Sequence, residues 1–121
     1  MLDISLDEQE VTFKKKTNIS YNSFKEHTYD SVTNFFFRLV KFTKLQPSVI
    51  REFVEKSYEN LLKEIHHFDT RQNFVLFAAN SFALSINEEL FNYQMNTDFV
   101  NHIYNPAYTA ADLIPLFHLK S

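Results

Sequence analysis

The chain contains no glycine. Glycine lacks a Cβ and is the ordinary occupant of backbone positions with positive φ. Phosphate-cradling loops, dinucleotide fingerprints and the nucleophile elbow of hydrolases each need glycines at fixed places, so none of them can be built here. Any turn that demands a left-handed residue must fall to asparagine instead. Cysteine is absent as well. That removes disulfides, thiolate zinc sites and cysteine nucleophiles, and it fits a reducing compartment.

Phenylalanine stands out in what remains: 14 of 121 residues, in a chain that is 17% aromatic. Bulky rings each bury a large apolar area, so a chain of this size can still build a core. With 45% apolar and 22% charged residues, the composition is that of one globular domain over residues 1–121. A net charge of −3 gives ordinary solubility and no global attraction to nucleic acid or anionic membrane. The excess of Phe, Asn, Lys, Tyr and Ile over Gly, Ala and Pro fits an AT-rich coding sequence. The expected source is a low-GC bacterium, its phages or its mobile elements, with the host cytoplasm as location. Asp3, Asp7 and Glu8 stand where a secretory leader needs a basic and then an apolar run. The most apolar stretch, Phe74 to Ile86, is broken by Asn80, Ser81 and Ser85 and is too short to span a bilayer.

Patterning predicts a mainly α fold, a compact bundle of four to five helices with a short N-terminal β-hairpin. The hairpin is read over 1–16. Leu2, Ile4 and Leu6 alternate with polar residues, as do Val11 and Phe13 after the Glu8–Glu10 loop. A helical body follows over 22–114. Ser23 and Glu26 form a capping-box pattern, and Tyr29, Val32, Phe36, Leu39 and Val40 continue at helical spacing to about Lys44. Pro47 suits the first turn of a second helix. Its buried face is Ile50, Phe53, Val54, Tyr58, Leu61, Leu62 and Ile65, with Glu52–Lys56 and Glu59–Lys63 pairs on the wet side. Asp69 and Gln72 offer another cap, for a helix over Arg71–Tyr93 that is apolar nearly all round and so expected to be central. A shorter helix is expected from Thr97 to Tyr104, then one or two turns from Thr109 to Ile114 closed by Pro115. Residues 115–121 form an apolar tail.

Four constellations bear on chemistry. Glu64 and His67 make one Glu-x-x-His, the half-motif of di-iron bundles, and Asp98 with His102 at i,i+4 adds a further ligand pair. No second Glu-x-x-His exists, and His66 and His67 equally suit a helix C-terminus, where cationic side chains favour the dipole. His27 and Asp30 are spaced for a local pair that lacks an oxyanion loop. Between Lys14 and Arg51, eight basic residues stand against Glu26 and Asp30, a local balance of +6. Lys14, Lys15 and Lys16 form a basic cluster, and Arg38, Lys41 and Lys44 recur every three residues, a spacing that suits tracking of phosphates. Finally, Phe35, Phe36 and Phe37 cannot all face one core, since successive helical side chains are about 100° apart. Phe42, Leu116 and Phe117 add to this surplus.

The surplus carries the reading. It points to a non-enzymatic interaction module of the assembly-factor, immunity-protein or inhibitor type. The expected contact residues are Phe35, Phe36, Phe37, Phe42, Leu116 and Phe117, and the partner is another protein or a second copy. Coverage of these residues within the chain is the competing reading. A nucleic-acid-binding accessory protein using Lys14–Lys16 and Arg38, Lys41 and Lys44 is an alternative. A metal-binding bundle around Glu64, His67 and His102 is another. No cofactor is expected.

Overall fold

The computed structural model describes residues 6–38, 46–96 and 108–117. Five α-helices occupy them: α1 (Leu6–Thr17), α2 (Tyr21–Phe37), α3 (Pro47–Glu64), α4 (Phe74–Asn96) and the short α5 (Ala110–Leu113). A 3-10 turn, Ile65–His67, follows α3, and another, Ile114–Phe117, follows α5. The mainly α reading holds, but the hairpin does not: its loop and second strand lie inside α1. The physical reason is local. Glu8, Gln9 and Glu10 are good helix formers, and none of them tolerates the positive φ of a tight hairpin turn. Asp7 and Glu8 in the first turn and Lys14–Lys16 in the last complement the helix dipole.

α1 ends at Asn18, whose φ of 64° makes it a left-handed residue doing what glycine does elsewhere. Its amide donates to the Lys14 carbonyl at 2.8 Å. α2 then starts earlier than the Ser23 pattern implies. Ser20 is the N-cap, with its hydroxyl oxygen accepting from the Ser23 amide at 3.1 Å, so Ser23 already lies within the first turn. The cap before α4 shifts the other way. Asp69 and Gln72 do exchange bonds: the Asp69 amide donates to Gln72 Oε1 at 3.1 Å, and the Gln72 amide to the Asp69 carbonyl at 2.8 Å. They close only a single turn. Asn73 caps α4 instead, accepting from the Leu76 amide at 3.1 Å.

Side-chain pairings set the topology. Thr28 meets the Tyr58 hydroxyl at 2.6 Å, the Tyr29 hydroxyl donates to Glu55 Oε1 at 3.2 Å, and Arg51 lies over the Phe37 ring. Rising numbers on α2 meet falling numbers on α3, so the two are antiparallel. Asn60 to Ser85 and Lys56 to Glu89 show the same for α3 and α4. α2 and α4 are therefore parallel, and residues 108–117 run back between them. Tyr108 packs on Phe35 and exchanges backbone bonds with the Asn87 amide group; Phe117 packs on Phe24 and Phe82. α1 closes one end of the bundle, with Phe13 edge-on to Tyr21 and Phe74 and tilted against Phe24. Lys16 Nζ donates to the carbonyls of Ile65, His66 and Phe68 at 2.8–3.1 Å, which ties α1 to the end of α3.

One contiguous apolar cluster runs from Phe13 to Phe117. α3 has the predicted buried face, from Ile50 to Leu62, and touches α1, α2 and α4. α4 departs from expectation in part. Ala78, Ala79, Phe82, Ala83, Ile86 and Leu90 face the core, whereas Leu76, Leu84 and Phe91 face outward. α4 shows one outward strip, while its other sides pack on α3, α5 and the turn after α5, as expected of a central helix. The expected helix over Thr97–Tyr104 falls outside the described residues. No described helix is long and apolar enough to cross a membrane.

Candidate interaction surface

On α4, residues three, four and seven apart share a face. Leu76, Leu84 and Phe91 are 45%, 70% and 60% exposed, and they lie within about 80° of one another around the helix. Asn80 sits among them, also exposed. Beside this strip, α3 and α4 enclose an open groove of about 550 Å³, floored by half-buried Phe77 and by Leu84 and rimmed by Lys56, Glu59, Lys63 and Glu88. Phe77 is anchored from below by Phe68, with ring centroids 4.9 Å apart. The groove's base is polar where the helices meet: Ser85 Oγ accepts from Asn60 Nδ2 at 3.0 Å and lies 3.3 Å from Ser57 Oγ. Lys56 is drawn to Glu89 at 3.5 Å on the rim. An apolar strip bordered by charges of both signs is the ordinary makeup of a helix-recognition surface. It contains no nucleophile–base pair.

The sequence-predicted contact residues are placed differently. Phe36 and Phe117 are fully buried core residues and cannot meet a partner; the tail, through Phe117, docks on its own body. Phe35 is half-buried against Phe36 and Tyr108, with the Arg38 guanidinium above it at 5.9 Å. Phe37 is half-buried beneath Arg51, and Leu116 is also half-buried. Phe42 lies outside the described residues. This part of the surplus is thus largely covered within the chain.

The basic residues are not brought together. Lys14 and Lys15 are exposed at the end of α1, beside the start of α2. Lys16 is occupied with three carbonyls. Arg38 stands at the far end of α2, a helix of 17 residues that spans about 25 Å. Lys41 and Lys44 lie outside the described residues. Glu64, His66 and His67 are exposed at the end of α3, and the two imidazole rings lie 4.0 Å apart. Among the described residues, no group of three metal-ligating side chains converges; Asp98 and His102 lie outside them. His27 does not turn to Asp30. Its Nδ1 donates to the Ser23 carbonyl at 2.7 Å.

Sequence reasoning missed Leu76, Leu84 and Phe91. The signal was present. The argument that three adjacent phenylalanines overfill one core face applies equally to the apolar run from Phe74 to Ile86. Phe77, Leu84 and Phe91 recur at intervals of seven, which on a helix picks out one strip.

The chain matches no protein-family model, and no curated protein or solved structure matches it significantly.

Proposed function

We propose that this chain is a non-enzymatic protein–protein interaction module that works through the outward face of α4. One observation carries the reading: Leu84, in the middle of a long helix, is 70% exposed and flanked on the same face by Leu76 and Phe91. Three large apolar side chains exposed along one strip, with Asn80 and Glu88 between them, are the kind of surface that marks contact sites. The surrounding structure supports a rigid platform. The opposite face of α4 is anchored by Phe82 and Ile86 in the core, and Asn87 is held by the backbone of Tyr108. On this reading the contact residues are Leu76, Leu84 and Phe91, whereas Phe36 and Phe117 of the expected set Phe35, Phe36, Phe37, Phe42, Leu116 and Phe117 are buried in the core. The assembly-factor, immunity-protein or inhibitor type is the kind of module this reading describes. A nucleic-acid role has less to stand on, because Lys14 and Lys15 are separated from Arg38 by the length of α2.

Affinity capture from cells expressing the tagged chain tests the reading. Wild type is expected to retain specific proteins that a doubly substituted Leu84→Glu, Phe91→Glu chain loses at least about tenfold, the effect of removing central apolar anchors. Both chains should keep the same helical circular-dichroism spectrum, since neither side chain supports the core. Equal capture by both would overturn the assignment of the surface.

A further inference from the structure

We infer that the groove between α3 and α4, with the α4 strip beside it, takes a cationic amphipathic helix of another protein. This rests on the reading of α4 as an interaction surface and names the chemistry of its partner.

The shape of the groove favours a helix. Phe77 and Leu84 floor a volume of about 550 Å³ between the two antiparallel helices. At its Phe77–Asn80 end the groove continues into a hollow of about 270 Å³ beside Leu76. The stretch of α4 from Leu76 to Glu89 is about 20 Å long, which suits an occupant of about 13 helical residues. An extended peptide would lay unpaired backbone N–H and C=O groups on the apolar floor, because no sheet edge exists among the described residues to pair them. A helix satisfies its own backbone and offers one apolar stripe. A third helix laid on an antiparallel pair is also the ordinary packing of a helical bundle.

Charge selects which helix. Around the groove four glutamates, Glu59, Glu64, Glu88 and Glu89, stand against two lysines, Lys56 and Lys63, a balance of −2. Glu89 is engaged with Lys56 at 3.5 Å. Glu59, Glu64 and Glu88 are exposed and have no ion-pair partner among the described residues. They come from both helices, so carboxylates border the apolar floor from α3 and from α4. The polar base adds an acceptor. Asn60 spends its amide nitrogen on Ser85 Oγ at 3.0 Å, and its carbonyl oxygen has no partner among the described residues. Acceptors around an apolar floor match an apolar stripe flanked by Lys or Arg, whose long stems also cover apolar surface. The same carboxylates repel nucleic acid and anionic peptides.

Fluorescence anisotropy of the full chain with two synthetic helical peptides tests this. Each peptide has about 18 residues and one leucine stripe. The residues flanking the stripe are lysines in one and glutamates in its twin. The chain should bind the lysine peptide at least about tenfold more tightly than the twin, and that affinity should fall as salt rises. The double substitution Glu59→Lys, Glu88→Lys should weaken the lysine peptide by about tenfold and strengthen its twin. Glu26→Lys, Asp30→Lys changes the net charge equally at exposed α2 positions that do not line the groove, and it should leave the preference intact. Leu84→Ser should weaken the lysine peptide through loss of the floor. A wild type that binds neither peptide, or both alike, overturns the inference. So does a reversal at Glu59 and Glu88 that acts no differently from the one at Glu26 and Asp30. A chain whose mass doubles with concentration through Leu84 would place a second copy in the groove and overturn it too. If proteins are still captured through Leu84 and Phe91 while the reversal changes nothing, the cationic assignment alone falls. If that capture fails as well, the interaction surface itself is lost.

Discussion

Asn18 turns the chain from α1 into α2 with a backbone that most residues avoid, and its amide closes the helix end on the Lys14 carbonyl. An asparagine accepts this because its short polar side chain lowers the cost of the left-handed region. Asn18→Ala should lower unfolding stability by about 1 kcal/mol in urea titration, whereas Asn18→Gly should change it by no more than a few tenths. An alanine variant as stable as wild type would refute the assignment. That asparagine must serve in glycine's place follows from composition; which asparagine does so depends on where α1 stops. Lys16 shows the limit more sharply. In sequence it belongs to a basic run, but its ammonium group caps three carbonyls about fifty residues away. No local pattern marks a contact made at that range.

Among the elements, α3 was the most legible because its apolar and charged residues separate cleanly onto two faces. α1 was misread because four or five alternating residues fit a strand as well as a helix, and the helix propensity of Glu8–Glu10 decided the matter. The α2–α3 seam could not be read at all, yet it holds a testable feature. Tyr58 is buried with its hydroxyl against Thr28 Oγ1, and Tyr21 is nearly buried with Glu55, Glu59 and Glu10 in its field. Burial, above all, pushes both phenols well above the ordinary tyrosine value of about 10. Between that value and the raised one, the unfolded chain gives up protons that the folded chain keeps. Stability is therefore complete below about pH 10 and should fall as pH rises beyond it. Urea titrations at stepped alkaline pH should show the decline, and Tyr58→Phe should make it shallower. An unchanged slope in the variant would show that Tyr58 contributes nothing to it.

At the scale of the molecule, the sequence contained the helical class and most of the core but not the pairing of elements. Phe117 was legible as an apolar oddity near the chain's end; that it fills the groove between α2 and α4 follows only from their parallel arrangement. Among the described residues, α3 and residues 108–117 cover the other sides of α4, and Leu76, Leu84 and Phe91 stay exposed on its outer strip. The surplus of large apolar side chains thus has two fates: around Phe36 and Phe117 it is absorbed, and at Leu76, Leu84 and Phe91 of α4 it is displayed. Photochemical footprinting of the full chain, compared between its free and its bound state, tests that division most directly. Labelling should fall at Leu76, Leu84 and Phe91 on binding, with Phe35, Phe37, Leu116, Lys14 and Lys15 unchanged. Protection at any of those five, with Leu84 still labelled as in the free chain, would contradict the account.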